Sequence, residues 1–237
     1  MGGVGTREAR GGSGGRRAAV ARRDEDGITL LDAIRHPEGD AERVELATSG
    51  GTIPCRLQDA DGDAAVLWVF GAGGGFAGPA GGVYHRLGGR LAREGVASLE
   101  LAYRRPADLV PCILDALAGV AWLESQGKGR VVFVGHSFGG AVVVNAGVLA
   151  GAVVAVAALS GQTAGTAAVG RLAPKPALFV HGEADEVLPA ACSLDLHARA
   201  GHPKRLILYP GCRHGLDECR DALDRDLRGW IEEVLAR

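Results

Sequence analysis

The apolar positions of this chain fall into runs of two kinds that alternate along it, separated by glycine-rich or charged turns. One kind is short, often β-branched and nearly unbroken: Ala64 to Phe70, Val96 to Ala102, Val131 to Val134, Ala152 to Leu159, Pro176 to Val180 and Arg205 to Tyr209. Apolar runs that do not alternate with polar residues predict strands buried on both faces, as in a parallel sheet. The other kind repeats at helical spacing. Val83, Tyr84, Leu87 and Leu91 mark a helix that Gly95 ends. Val110, Ile113, Leu114, Leu117, Val120 and Ala121 mark a second, closed by Gln126-Gly127. Ala141 to Ala150 predicts a third, Ala190 to Ala200 a fourth, and Leu223, Leu227, Trp230, Ile231 and Val234 stripe a fifth. Upstream, Arg43 to Ala47 alternates polar with apolar, Ser49-Gly50-Gly51 turns the chain, and Ile53 to Leu57 returns, which predicts an opening hairpin.

Strands and helices alternating in this way predict one α/β domain over 43–237. Its sheet should be mostly parallel and twisted, of about eight strands, with helices on both faces. Residues 28–42 read as a linker or short helix, in which Ile28 to Ile34 gives one or two turns before His36-Pro37 stops them. Residues 1–27, rich in Gly and Arg with no apolar run, read as a disordered tail. That tail lacks the hydrophobic segment of a secretory signal, and no stretch is long and apolar enough for a membrane span.

Composition narrows the possible partners. With 237 residues, 47% of them apolar, the chain is long enough for one sizeable core. A formal charge of -2 gives no reason to expect nucleic acid or an acidic membrane surface. Cys55, Cys112, Cys192, Cys212 and Cys219 are scattered and odd in number, with no Cys-x-x-Cys pair. Neither a zinc site nor a disulfide framework is therefore expected, and a reducing, cytoplasmic setting fits. No metal or cofactor is expected.

The chemistry concentrates where the Val131–Val134 strand ends. Gly135-His136-Ser137-Phe138-Gly139 is Gly-x-Ser-x-Gly, set between that strand and the apolar helix that follows. With 38 glycines in the chain, the bare pattern is expected by chance about 0.2 times, so it carries little alone. Strand before and helix after are what make it a nucleophile elbow, with Ser137 lifted above the sheet. Side chains at Gly135 and Gly139 would crowd such a turn.

A serine hydroxyl needs a base within hydrogen-bond reach, oriented by a third group. Seven histidines are available. His36 and His85 lie upstream, His136 should point away from its neighbour Ser137, His181 ends a strand and reads as structural, and His197 and His202 read as solvated. His214 follows the last strand, in Pro210-Gly211-Cys212-Arg213-His214-Gly215, where a parallel sheet presents groups to a ligand. The acid should lie between Ser137 and His214. The first acids after a strand there are Glu183, Asp185 and Glu186; Asp185 is preferred, and charge alone leaves the other two open.

From about residue 43 to its end the chain resembles the α/β-hydrolase superfamily, in particular its small serine esterases and dienelactone-hydrolase-like members. Gly-His-Ser-Phe-Gly-Gly resembles that superfamily's elbow, His-Gly-Glu-Ala-Asp-Glu-Val-Leu-Pro its acid loop, and Cys-Arg-His-Gly the segment carrying the triad histidine. The resemblance implies Ser137 as nucleophile, Asp185 as acid and His214 as base, in the superfamily's own order. It also implies an oxyanion hole from the Phe138 N–H and a residue of Phe70-Gly71-Ala72-Gly73-Gly74-Gly75, Ala72 first and Gly73 second. A phosphate-binding reading of these glycines fails, because no Gly-Lys-Ser/Thr follows. Two departures stand out: Phe70 replaces a histidine common in relatives, and Ser137 stands where dienelactone hydrolase proper has cysteine.

The implied function is hydrolysis of a small carboxylic ester through an acyl-enzyme. A thioesterase or peptidase on the same triad, or a non-catalytic binding protein of this fold, are the alternatives. In this superfamily a cap is usually inserted after the strand that follows the elbow helix. Here Ser160 to Lys175 provides too little chain for one, which implies an open site and short, water-soluble substrates.

Overall fold

The structure, a computed structural model, describes residues 1–2, 22–23, 27–76 and 78–236. Its centre is a ten-stranded sheet: β1 (Arg22–Arg23), β2 (Thr29–Glu38), β3 (Ala41–Thr48), β4 (Gly51–Gln58), β5 (Ala64–Val69), β6 (Ala97–Leu101), β7 (Arg130–His136), β8 (Val153–Leu159), β9 (Ala177–Gly182) and β10 (Lys204–Tyr209). The helices are α1 (Pro79–Arg93), α2 (Leu109–Ser125), α3 (Phe138–Leu149), α4 (Ala191–Arg199) and α5 (Arg220–Leu235), with a 3-10 turn at Ala167–Leu172. Strand order is β1-β2-β3-β4-β6-β5-β7-β8-β9-β10. Pairing is antiparallel from β1 through β4 to β6, and parallel from β6 onward.

The unbroken apolar runs have the predicted cause. On β5, Ala65, Leu67 and Val69 enter one core layer with α2 and α3, while Val66 and Trp68 enter another with α1 and α5. Every residue of β5 is buried, so its strand period of two is invisible in sequence. The eight expected strands correspond to β3 to β10.

Two expectations upstream of residue 43 need correction or fall outside the described residues. The segment 28–42, read as a linker or short helix, forms β2 and joins the sheet beside β3. A β-bulge between Leu30 and Asp32 explains the misreading. It places Ile28, Leu30 and Ala33 on the buried side, and the step of three from Leu30 to Ala33 mimics helical spacing. Residues 3–21 and 24–26 of the expected tail lie outside the described residues, while Arg22–Arg23 pairs with Leu30 and Thr29 of β2.

Topology then fixes where a ligand can sit. The chain leaves β5 towards α1 on one face and leaves β7 towards α3 on the other. Neighbouring strands whose connections part in this way open a crevice at their carboxyl ends. The glycine-rich segment after Phe70 and the Ser137 turn both border it.

Candidate active site

The turn after β7 is tight because nothing but glycine fits around it. Ser137 sits at φ 56°, ψ -119°, a strained conformation for a residue with a side chain. A Cβ on Gly135 would lie 2.2 Å from the Gly139 carbonyl oxygen, and one on Gly139 would lie 2.4 Å from that of Phe70. The elbow is thus packed against the end of β5. Its serine stands at the N-terminus of α3, where the Phe138 N–H has no partner within the helix and the dipole favours negative charge.

The β5 end is itself held rigidly. The Tyr84 hydroxyl donates to the Val69 carbonyl at 2.9 Å and the Tyr103 hydroxyl to that of Phe70 at 3.1 Å. Gly71 follows directly, and a Cβ on it would come within 3.5 Å of the Ser137 Cβ. Ala72 and Gly73, the expected oxyanion donors, form the exposed turn that comes next, closed by a bond from the Gly74 N–H to the Gly71 carbonyl. The segment ends in three left-handed residues, Ala80 to Gly82. Arg86 holds that turn by donating to the carbonyls of Ala80 and Gly81, and the Ala80 N–H reaches the Gly215 carbonyl at 2.7 Å. The glycine-rich segment after Phe70 and the His214 loop are thereby joined.

The structure brings the three distant polar residues into one line. His214 Nε2 lies 3.1 Å from Ser137 Oγ, and His214 Nδ1 lies 2.8 Å from Asp185 Oδ2. An ionised carboxylate only accepts, so Nδ1 carries the proton and Nε2 is free to accept from the serine. Asp185 is completely buried at its side chain, and its Oδ1 accepts the N–H groups of Val187 and Leu188 at 2.9 and 2.8 Å. Burial pushes its carboxyl up, but the Leu188 N–H, the His214 ring and the Val187 N–H outweigh that and hold it below the usual carboxylate range. Glu183 and Glu186, the rival acids, both lie at the surface.

The contacts of three further side chains at the site escaped the sequence reading. Glu186, though at the surface, has a carboxylate oxygen 3.4 Å from the His214 backbone N–H. His136 does avoid Ser137, but its ring packs 4.8 Å from that of His214 and its Nε2 donates to the His214 carbonyl at 2.9 Å. Burial is the main cause that pushes the His136 ring down to about 4, so at neutral pH it is uncharged. His181 lies against Asp185, with its Nε2 3.1 Å from Oδ2. Its place four residues before the acid, at a strand's end, was the available signal.

The expectation of no disulfide is corrected. Cys212 and Cys219 are bridged, with Cα atoms 5.8 Å apart, because the turn through Leu216 doubles the chain back. The bridge brackets His214. Cysteine usage therefore no longer argues for a reducing compartment. Cys55, Cys112 and Cys192 are free. Among the described residues no group of His, Cys, Asp and Glu could hold a metal ion, and no helix is long and apolar enough to cross a membrane.

Solved structures share this architecture. Est1E from Butyrivibrio proteoclasticus superposes with a TM-score of 0.70 at 18% identity, covering 82% of this chain and 99% of that one. A dienelactone hydrolase from Anabaena variabilis gives 0.70 at 17% identity, covering 82% and 98%. A monoacylglycerol lipase from Paleococcus ferrophilus gives 0.62 at 14%, covering 77% and 99%. No curated protein sequence matches significantly. The model of the dienelactone hydrolase family matches residues 72–227, which include the elbow, the acid loop and the His214 segment. The chain is accordingly a hydrolase of the α/β-hydrolase fold and belongs to the dienelactone hydrolase family.

Proposed function

We propose that the protein hydrolyses small carboxylic esters through an acyl-enzyme intermediate on Ser137. The observation that carries this reading is the unbroken hydrogen-bonded line Ser137 Oγ, His214 Nε2, His214 Nδ1, Asp185 Oδ2. In the first step Ser137 Oγ attacks the ester carbonyl carbon while His214 Nε2 takes its proton. Asp185 keeps the ring in the tautomer that permits this and stabilises the imidazolium that forms. The oxyanion is held by the Phe138 N–H and by the N–H of Ala72 or, failing that, Gly73, donors that each typically lower such a barrier by about 3 kcal/mol. Collapse of the tetrahedral adduct expels the alcohol, which receives the proton from His214. Water then repeats the sequence on the acyl-enzyme: His214 takes its proton, the acid departs and Ser137 is restored.

Ser137 also separates this chain from the reaction in the family's name, for which the resemblance implies a cysteine nucleophile. The deciding experiment is a panel of p-nitrophenyl esters, acyl thioesters and aminoacyl anilides with wild type and Ser137→Ala. Turnover of short esters that the variant lacks is expected. Preference for thioesters or anilides, or equal turnover by Ser137→Ala, would reject the proposal.

A further inference from the structure

The triad acid has a second imidazole. His181, near the end of β9, is completely buried, and three of its contacts define its state. Its Nε2 donates to the Leu188 carbonyl oxygen at 2.9 Å and lies 3.1 Å from Asp185 Oδ2, so the positive end of that N–H sits beside the carboxylate. Its Nδ1 lies 2.7 Å from Ser193 Oγ on α4. In the neutral ring Nδ1 has only a lone pair, so the Ser193 hydroxyl donates to it. Ser193 is itself completely buried and thereby locks the ring in its Nε2–H form.

Asp185 is hemmed in at both oxygens. Oδ1 accepts two backbone N–H groups, Oδ2 accepts from His214 Nδ1, and His181 Nε2 lies 3.1 Å from Oδ2. A carboxylate held by three hydrogen bonds, with a further N–H against one oxygen, can neither rotate nor take up a proton without losing favourable contacts. We propose that His181 is a positioning residue that, locked by Ser193, fixes the orientation and charge of Asp185 and so sets the basicity of His214. The inference rests on the serine-hydrolase reading of Ser137, His214 and Asp185.

The His181 N–H beside Oδ2 acts in two ways. It withdraws electron density from the oxygen that faces His214, which tempers the pull of Asp185 on the imidazolium. It also pins Oδ2 in the plane where His214 Nδ1 meets it. Removing it should therefore raise the proton affinity of His214 and slacken its alignment with Ser137. The titratable groups around His181 are Asp185, His214 and His136, with Glu183 and Glu186 on the same loop, so all five belong in any analysis of the pH profile.

The test compares wild type with His181→Phe, His181→Gln and Ser193→Ala. Phe fills the volume without a donor, Gln returns an N–H near the same place, and Ser193→Ala frees the tautomer while sparing the ring. Two readouts are needed: the acid limb of kcat/KM for a p-nitrophenyl ester, and the His214 titration midpoint followed by NMR of its ring. In His181→Phe, kcat should fall about tenfold or more with KM little changed, on the scale seen for outer partners of other sites. Both the acid limb and the NMR midpoint should rise by about half a pH unit. His181→Gln should restore most of both, and Ser193→Ala should show the same shift in smaller measure. A folded His181→Phe with its limb and midpoint unmoved overturns the inference, as does a shift that Gln fails to reverse. If His181→Phe does not fold, an unmoved midpoint in folded Ser193→Ala overturns it equally. Wild type without turnover, yet with the NMR midpoint moving as stated, would sink the esterase reading and leave the positioning role standing.

Discussion

Asp185 and His136 carry the most informative single-residue consequences of this site. In Asp185→Asn the two backbone bonds to Oδ1 can survive, but an amide N–H would face His214 Nδ1–H, and two donors cannot pair. The imidazole would turn to the other tautomer and lose its free Nε2. We expect kcat to fall about 10⁴-fold with the melting temperature nearly unchanged, whereas Glu183→Gln should stay within about threefold. Steady-state kinetics on the three proteins decides it; a silent Asp185→Asn would mean the acid is misassigned. His136 bears on stability instead. Its ring is held neutral down to about 4 when folded but protonates near 6.5 when unfolded. Below 6.5 the unfolded chain binds more protons, so this contribution is intact at neutral pH and fades as pH falls towards 4, by about 1.4 kcal/mol per pH unit. His136→Gln, which keeps an N–H for the His214 carbonyl and cannot titrate, should flatten the pH dependence of urea unfolding over that window. Equal slopes in the two proteins would contradict it. The side chains proposed to react were legible because each follows a strand that its apolar run reveals. The partners His181, Glu186 and His136 were not, because their contacts join loops after different strands or fold a single loop back on itself.

At the scale of elements, the His214 loop and β2 show what local pattern hides. Val131 to Val134 and Ala141 to Ala150 could be read directly because burial on all sides makes such runs apolar throughout. The β2 bulge defeated the same logic by breaking the period of two. The Cys212–Cys219 bridge was illegible because spacing alone does not reveal that Leu216 takes a left-handed conformation and folds the loop back. The bridge closes a ring of eight residues around His214. On chain-entropy grounds so short a ring stabilises the fold by about 2–3 kcal/mol. Reduction should then lower the melting temperature by about 5 °C or more, and Cys212→Ser with Cys219→Ser should do the same. Activity should fall with it, since the bridged turn also supplies the Cys212 carbonyl that accepts from Ala184 beside the acid. Calorimetry with and without a dithiol tests this, and an unchanged melting temperature would show that the loop holds its shape unaided.

For the molecule as a whole, the sheet order and the short connection after β8 govern access to the crevice. That connection holds a bend, the 3-10 turn Ala167–Leu172 and little else before β9. Its glycines and alanines present none of the bulky apolar surface that a lipase lid turns to lipid. We expect turnover to be best with acyl chains of about two to six carbons and to decline beyond them, since a larger binding cavity needs walls this connection does not build. Rate should follow tributyrin concentration smoothly across its solubility limit; a sharp rise there would reveal a lid.

The nucleophile is the centre of the account, and one reagent addresses it. A fluorophosphonate reacts with a serine only when a neighbouring base and oxyanion donors activate it. Intact-mass analysis of the folded protein should show a single adduct, peptide mapping should place it on Ser137, and Ser137→Ala should show none. Folded wild type that takes up no reagent, or an identical adduct on Ser137→Ala, would contradict the account.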